Sequence, residues 1–112
     1  MASEPVPSKP QHPFLGKRVV VRAPGSGVFI GTLTSHKPTK GNLTRVILAD
    51  AQRVWRWTKG ALETTHLAAK GPKVACLSPV APYEEIPDAR EIILMSAMAD
   101  EQFQSIEVWD GQ

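Results

Sequence analysis

The stretch KRVVVRAPGSGVFIGTLTS, residues 17–35, decides the fold of this 112-residue chain. Val19-Val20-Val21 is a β-branched run that favours a strand, and Pro24-Gly25-Ser26-Gly27 is a strong turn signal. A second β-like run, 27–35, follows at once. Gly31 in its interior marks a bulge, a bend or a close backbone approach. Two extended runs across a tight turn predict an antiparallel hairpin.

Toward the C-terminus the same grammar repeats. HKPTKGN (36–42) is a polar hairpin loop, and LTRVILAD (43–50) alternates as the partner strand. AQRVWRWT (51–58) reads as another short strand, with KGA (59–61) turning out of it. ETTHLAAKG (63–71) has helical character, with Leu62, His66 and Ala69 spaced for one face and Gly71-Pro72 as a stop. KVACLS (73–78) reads as a short strand, and three prolines make SPVAPYEEIP (78–87) an irregular crossing. In REIILMSAM (90–98), Ile92-Ile93-Leu94 favours a buried strand over a helix. ADEQFQSIEVW (99–109) then reads as one short helix with Phe103 and Ile106 on a face and Asp100 as its N-cap. The expected fold is α+β, mainly β: a small curled antiparallel sheet or partial barrel with two short helices.

Toward the N-terminus, Pro5, Pro7, Pro10 and Pro13 fall among Ser, Glu, Gln and Lys. Such a stretch buries little apolar surface, so residues 1–15 are expected to be a flexible Pro-rich tail and 16–112 a single small β-rich domain. Composition agrees with one ordinary globular unit: 42% of residues are hydrophobic and 21% charged. A lone cysteine, Cys76, excludes an internal disulfide framework and a multi-cysteine zinc site, and fits a reducing compartment. No apolar run approaches the roughly 20 residues that span a bilayer. The N-terminus lacks the apolar core of a signal peptide. A soluble, intracellular protein without a membrane partner is expected.

Charge is unevenly distributed. Residues 1–73 hold 12 of the 13 Lys and Arg but three acids, a net of +9, and residues 74–112 hold one base against eight acids, a net of −7. Three readings follow: the halves neutralise each other inside one domain, a basic face meets an acidic face of another copy, or a basic face receives an anionic partner. The small overall charge of +2 argues against a dedicated nonspecific DNA binder.

No catalytic set emerges. His12, His36 and His66 share no metal-ligand spacing, and Cys76 has no base near it in sequence. Glu84, Glu85, Asp88 and Glu91 cluster around a Pro-rich segment, where solvated acids are the ordinary reading and acid–base or Mg²⁺ chemistry the special one. Gly25-Ser26-Gly27 lacks the following Lys and the strand-to-helix context of a phosphate loop and reads as a hairpin turn. The expectation is a non-enzyme with no cofactor, no metal and no catalytic residue.

The unusual segment is Arg53-Val54-Trp55-Arg56-Trp57. On a regular strand Arg53, Trp55 and Trp57 project to one face and Val54 and Arg56 to the other. Two indoles beside a guanidinium form a flat stacking surface with a bidentate anion donor, as a nucleobase and its phosphate require. The competing reading buries both tryptophans in the core; an intermediate one buries one and leaves the other at a groove or interface. Lys17, Arg18 and Arg22 on the first strand add positive potential if that strand lies nearby. The candidate ligand-binding residues are Arg53, Trp55, Arg56, Trp57 and Arg22.

The strings VFIGTLTS, VILADAQRVWRWTKGALETTHLAAKG, EIILMSAM and SIEVW together resemble a family of small bacteriophage and prophage proteins that carry a domain of unknown function. Its pattern is G-V-x-x-G-T-L, then D-A-R-R-x-W-x-W, then L-A-x-x-G, and the resemblance covers roughly 17–109. Asp50, Ala51, Arg53, Trp55 and Trp57 fit the second motif, while Gln52 stands where the family often has Arg. The HKPTKGN loop is longer than usual in the family. The resemblance implies a phage origin and no particular activity. The expected function is a homo-oligomeric phage protein in the host cytoplasm that binds a nucleotide-like anion, sequestering a bacterial immune signal as a sponge. The alternatives are a structural or host-protein-binding accessory module, and a small barrel that binds single-stranded nucleic acid.

Overall fold

The computed structural model describes residues 12–41, 43–58, 67–69, 71 and 74–108, with the side chains of 55–58 and 74 outside that description. Six strands form one antiparallel sheet: β1 (Arg18–Ala23), β2 (Gly27–Pro38), β3 (Thr44–Thr58), β4 (Val74–Leu77), β5 (Ala81–Ala89) and β6 (Glu91–Leu94). A helix, α1 (Ala97–Gln104), follows, and residues 67–69 are also helical. The sheet runs β4-β3-β2-β1-β6, with β5 beside β4 on the same edge of β3. It is curled and not closed, the mainly β fold expected.

The hairpin read from residues 17–35 is present in register, Ala23 opposite Gly27 and Arg18 opposite Thr32. All three valines of β1 are buried because β1 lies between β2 and β6 and the sheet is covered on both sides. Val19 and Val21 join Phe29, Leu33, Val46, Leu48 and Ile86 in an inner core within the curl. Val20 faces the other way, with Ile30, Val54, Leu77, Leu67, Ala68, Ala99 and Phe103, so the two helical segments cover the outer side of this half of the sheet. Gly31 lets two strands approach: a Cβ there would lie 2.9 Å from Leu48 Cβ and 3.1 Å from the Ala49 carbonyl oxygen. The sequence reading of close approach at this glycine is borne out.

Several expected boundaries differ for physical reasons. Residues 43–50 and 51–58 form one strand, β3, because Asp50 adopts φ 49° and accommodates an extra residue instead of ending the strand. Ile30 pairs with Gln52 but Thr32 with Ala49, which locates this bulge. The expected irregular crossing at 78–87 is largely strand β5. Its prolines are tolerated because Pro82 lies opposite the bulged Asp50 and Pro87 falls in the register shift between the Thr44–Ala89 and Val46–Ile86 pairs. The loop expected at 36–42 is shorter, since β2 continues to Pro38.

The last helix begins two residues earlier than expected, and its N-cap is Ser96, not Asp100. Ser96 Oγ accepts from the Ala99 N–H at 3.0 Å and donates to the Ala69 carbonyl at 2.6 Å, so one hydroxyl caps α1 and ties it to the 67–69 segment. Of the helix expected at 63–71, residues 63–66 and 70 lie outside the described residues. Gly71, at φ 74°, donates its N–H to the Leu67 carbonyl at 3.0 Å, as a helix-ending glycine does.

The folded unit also starts before Gly16. His12–Leu15 form a turn with Phe14 and Leu15 packed against the inner core, and the Gly16 N–H donates to the Leu33 carbonyl at 2.7 Å. The tail expected at 1–15 is corrected at these four positions, where two apolar side chains outweigh the polar composition. Residues 1–11 lie outside the described residues.

Candidate functional site

Arg53 is placed by the bulge at Asp50. From Thr44 to Leu48 the inner-facing positions of β3 are even, Val46 and Leu48; the extra residue shifts them to odd, and Ala51 is buried in the inner core. Arg53 therefore shares the inner face and sits directly opposite Phe29 on β2. Its guanidinium lies over the Phe29 ring, Cζ 4.9 Å from the centroid. The strand is pinned there by the kink between β4 and β5. The Arg53 N–H donates to Ser78 Oγ at 2.8 Å, its carbonyl accepts from the Ser78 N–H at 3.0 Å, and Gln52 Nε2 donates to the Ser78 carbonyl at 2.9 Å. Gln52 is thus used in holding the kink.

Arg53 is exposed, and among the described residues no carboxylate pairs with it. A ring-backed guanidinium keeps its planar face on apolar carbon and presents its N–H edge to solvent, a geometry suited to planar or multi-oxygen anions.

The structure separates Arg22 from this group. Arg22 lies between Val21 and Ala23, both inner-core residues, so its side chain projects to the opposite face from Arg53. Its Nε contacts Glu91 Oε1 at 3.2 Å, across the β1–β6 pairing that sets the two residues opposite each other. Arg18 likewise donates to Asp100 at 3.2 Å and to the Asp50 carbonyl at 3.4 Å. The expectation that Arg18 and Arg22 add free positive potential beside the platform is corrected: both face carboxylates from the acidic half.

For the remaining candidates the backbone gives the register. β3 and β4 shift register between Val54 and Arg56, leaving Trp55 at an irregularity, with Arg56 opposite Cys76 and Trp57 opposite Ala75. The unbroken alternation that would carry Arg53, Trp55 and Trp57 to one face is interrupted at this point. The side chains of Trp55, Arg56 and Trp57 lie outside the described residues.

The charge asymmetry is resolved at least in part within the chain. Each of the three ion pairs among the described residues joins a base of the first half to an acid of the second: Arg18–Asp100, Arg22–Glu91, and Arg45–Glu85 at 3.7 Å. A fourth acid, Asp88, holds the β1–β2 turn, accepting from the Gly25 N–H at 2.7 Å and from Ser26 Oγ at 2.8 Å. The turn 24–27 is the hairpin turn expected from its sequence, and a carboxylate of the chain itself takes its donors. Among the described residues no three His, Cys, Asp or Glu side chains group as metal ligands, and no helix is long and apolar enough to cross a membrane.

Fold and site together define a small, mainly antiparallel α+β domain with an exposed ring-backed arginine at one end of its inner core. The chain belongs to the family described as Domain of unknown function (DUF6948), which it matches over residues 16–103. Neither a curated protein nor a solved structure matches it.

Proposed function

We propose that this protein is a binding module for a nucleotide-like anion, held without turnover at Arg53. The observation that carries the reading is the Arg53 guanidinium over the Phe29 ring, exposed and without a carboxylate among the described residues. Anchoring one face on carbon reduces the conformational freedom that a free surface arginine loses when it binds, so donors in this geometry are pre-organised for phosphate. Trp55 and Trp57, on the same strand, are the candidate stacking partners, with Arg56 as a second cation; Arg22, committed to Glu91 on the other face, drops out of the site. In its specific form the protein is a phage-encoded, homo-oligomeric sponge for an immune signalling nucleotide in the host cytoplasm. That form rests on the resemblance of its motifs to phage and prophage proteins.

Native mass spectrometry of the full chain with a panel of cyclic and linear nucleotides tests the reading, followed by calorimetric titration of any hit. A discrete unmodified nucleotide mass, with affinity at least tenfold weaker in Arg53→Ala, supports it. No adduct across the panel, or unchanged affinity in Arg53→Ala, overturns it.

A docking module for a host protein is the second reading, and a different surface favours it. Val80 and Tyr83, at and beside the edge strand β5, are 54% and 70% exposed, and large exposed apolar side chains grouped on one segment are a feature of protein-binding surfaces. Loss of capture of a host protein in Tyr83→Ser, with Arg53→Ala unaffected, would select it.

A further inference from the structure

The N-terminal turn is held by an unusual arrangement. His12 and His36, 24 residues apart, stack with ring centroids 4.2 Å apart and planes inclined at 41°. His12 also meets the Phe14 ring edge-on at 5.0 Å, and its Nδ1 accepts the Phe14 N–H at 3.1 Å. That bond fixes the neutral tautomer of His12, with its proton on Nε2. Beyond it, Leu15 and Lys17 donate to the His12 and Phe14 carbonyls at 3.1 and 3.0 Å, closing a compact turn. Two bonds tie this turn to β2: the Gly16 N–H to the Leu33 carbonyl, and the Leu33 N–H to the Lys17 carbonyl at 3.0 Å. Phe14 and Leu15 cover one end of the inner core.

We propose that the His12–His36 stack is an acid-released latch: it keeps the 12–15 turn, with Phe14 and Leu15, on the inner core when both imidazoles are neutral and frees it when they are protonated.

Two effects act together. A proton on His12 Nδ1 replaces the acceptor of the Phe14 N–H with a donor, so two donors face each other. Two imidazolium rings at this separation also repel. The His36 imidazole is held below its ordinary value first by burial and then by His12, with a backbone hydrogen bond opposing. The closed turn therefore disfavours a proton on His36, and acid shifts the population toward an open turn.

The charged groups on the elements around His36 are Lys37 beside it on β2, Arg45 opposite Lys37 on β3, Lys17 on the turn, and Glu84 and Glu85 on β5. Glu85 is committed to Arg45. The described hydrogen bonds and ion pairs include none from a carboxylate to either histidine.

Amide exchange on the full chain, read residue by residue by NMR and corrected for the intrinsic pH dependence, tests the latch. Between pH 7.5 and 5.0 the Gly16 and Leu33 amides of the wild type should lose about tenfold or more of their protection. The Val20 amide, in the middle of β1, should keep its protection, which separates release of the turn from global unfolding. His36→Phe keeps a ring against His12 without a second titrating group, and His12→Gln keeps an acceptor for the Phe14 N–H; each removes one of the two effects, so in each the acid-induced loss should shrink to about threefold or less. If one variant folds poorly, the other carries the test. A wild type that keeps protection at pH 5.0, or an equal loss in wild type and variants, overturns the proposal.

Discussion

Asp88 and Gly25 meet across 63 residues of sequence, the Asp88 Oδ2 accepting the Gly25 N–H at 2.7 Å while Oδ1 takes the Ser26 hydroxyl. The contact closes a structural circuit. β5 hydrogen-bonds to β3, yet Asp88 near its end grips the β1–β2 turn, and two residues later Arg90 donates its N–H to the Arg22 carbonyl at 2.9 Å. Asp88 therefore helps to hold the curl of the sheet.

Asp88→Ala should cost about 1–3 kcal/mol, because it leaves the Gly25 N–H and the Ser26 hydroxyl without their acceptor. In a domain of this size about 1 kcal/mol corresponds to roughly 4–8 °C in Tm. Asp88→Asn keeps one acceptor oxygen and should lose about half as much. Thermal unfolding by circular dichroism reads both. An Asp88→Ala variant as stable as the wild type would show that the carboxylate merely decorates a turn already fixed by Pro24 and Gly27.

The Arg53–Phe29 pair divides its roles cleanly. Phe29 is fully buried, so Phe29→Ala should cost about 3–5 kcal/mol through lost burial and the cavity left behind. Arg53 is exposed, and its cation–π contact is worth about 0.5–1 kcal/mol, so Arg53→Ala should leave Tm within several degrees of the wild type. That asymmetry makes Arg53→Ala a usable probe of ligand binding. Severe destabilisation by Arg53→Ala would instead assign the guanidinium a structural role as a lid on the inner core.

Gly71 carries two constraints at once. Its φ of 74° is strained for any residue with a side chain, and a Cβ would fall 2.7 Å from Gln102 Cβ and 3.1 Å from the Ala99 carbonyl oxygen on α1. Gly71→Ala should therefore cost about 2–4 kcal/mol, the sum of a left-handed conformation and an overpacked contact between two helical segments. Urea unfolding measures it. Pairing with Gln102→Ala removes the Gln102 Cγ, 3.0 Å from that Cβ, but leaves the closer Gln102 Cβ and the Ala99 carbonyl oxygen in place, so the double variant should recover only a small part of the loss.

How much of this was legible in the sequence follows from which interactions are local. The first hairpin was readable because the β-branched run, the Pro-Gly-Ser-Gly turn and the interior Gly31 all lie within 20 residues and point the same way. The sequence reading divides β3 into two strands, 43–50 and 51–58. Only pairing with β2 and β5 shows that Asp50 takes a left-handed conformation and lets the strand continue. β5 was hidden by its prolines, which are compatible with a strand only at irregular positions set by its partner.

At the site, the composition around Arg53 singles out the residue on which the proposed reading rests, but not the ring that orients it. The partner that orients it, Phe29, is fixed by long-range register, as is the Glu91 that claims Arg22. Other residues that stand out in the sequence also acquire structural meanings. Gly31 permits strand approach, Asp50 forms a bulge, Ala51 and Leu67-Ala68 fill the two cores, and Gly71 ends a helical segment against α1.

Ser96 makes the next prediction independent of the sheet. Ser96→Ala removes both the N-cap of α1 and its link to the Ala69 carbonyl, so it should cost about 1–2 kcal/mol, at the upper end of the range for a cap. Ser96→Asp keeps the cap acceptor and suits the helix N-terminus, but it cannot donate to Ala69. It should recover only part of the loss. Full recovery in Ser96→Asp would mean that the tie between α1 and the 67–69 segment contributes nothing.

The pH dependence of global stability has a definite sign at His36. Its imidazole in the folded chain lies below the ordinary value, so between about pH 6.5 and that lower value the unfolded chain binds a proton that the folded chain refuses. The contribution of this residue is therefore undiminished above about pH 6.5 and is lost as pH falls through the folded value. Other groups contribute to the acid response of the whole chain, so the wild type alone cannot isolate the histidine. His36→Phe does: its urea midpoint should fall less than that of the wild type between pH 7.5 and 5.5, while the two respond alike between pH 7.5 and 8.5. Parallel losses below pH 6.5 would mean that His36 titrates in the folded chain as it does in the unfolded one.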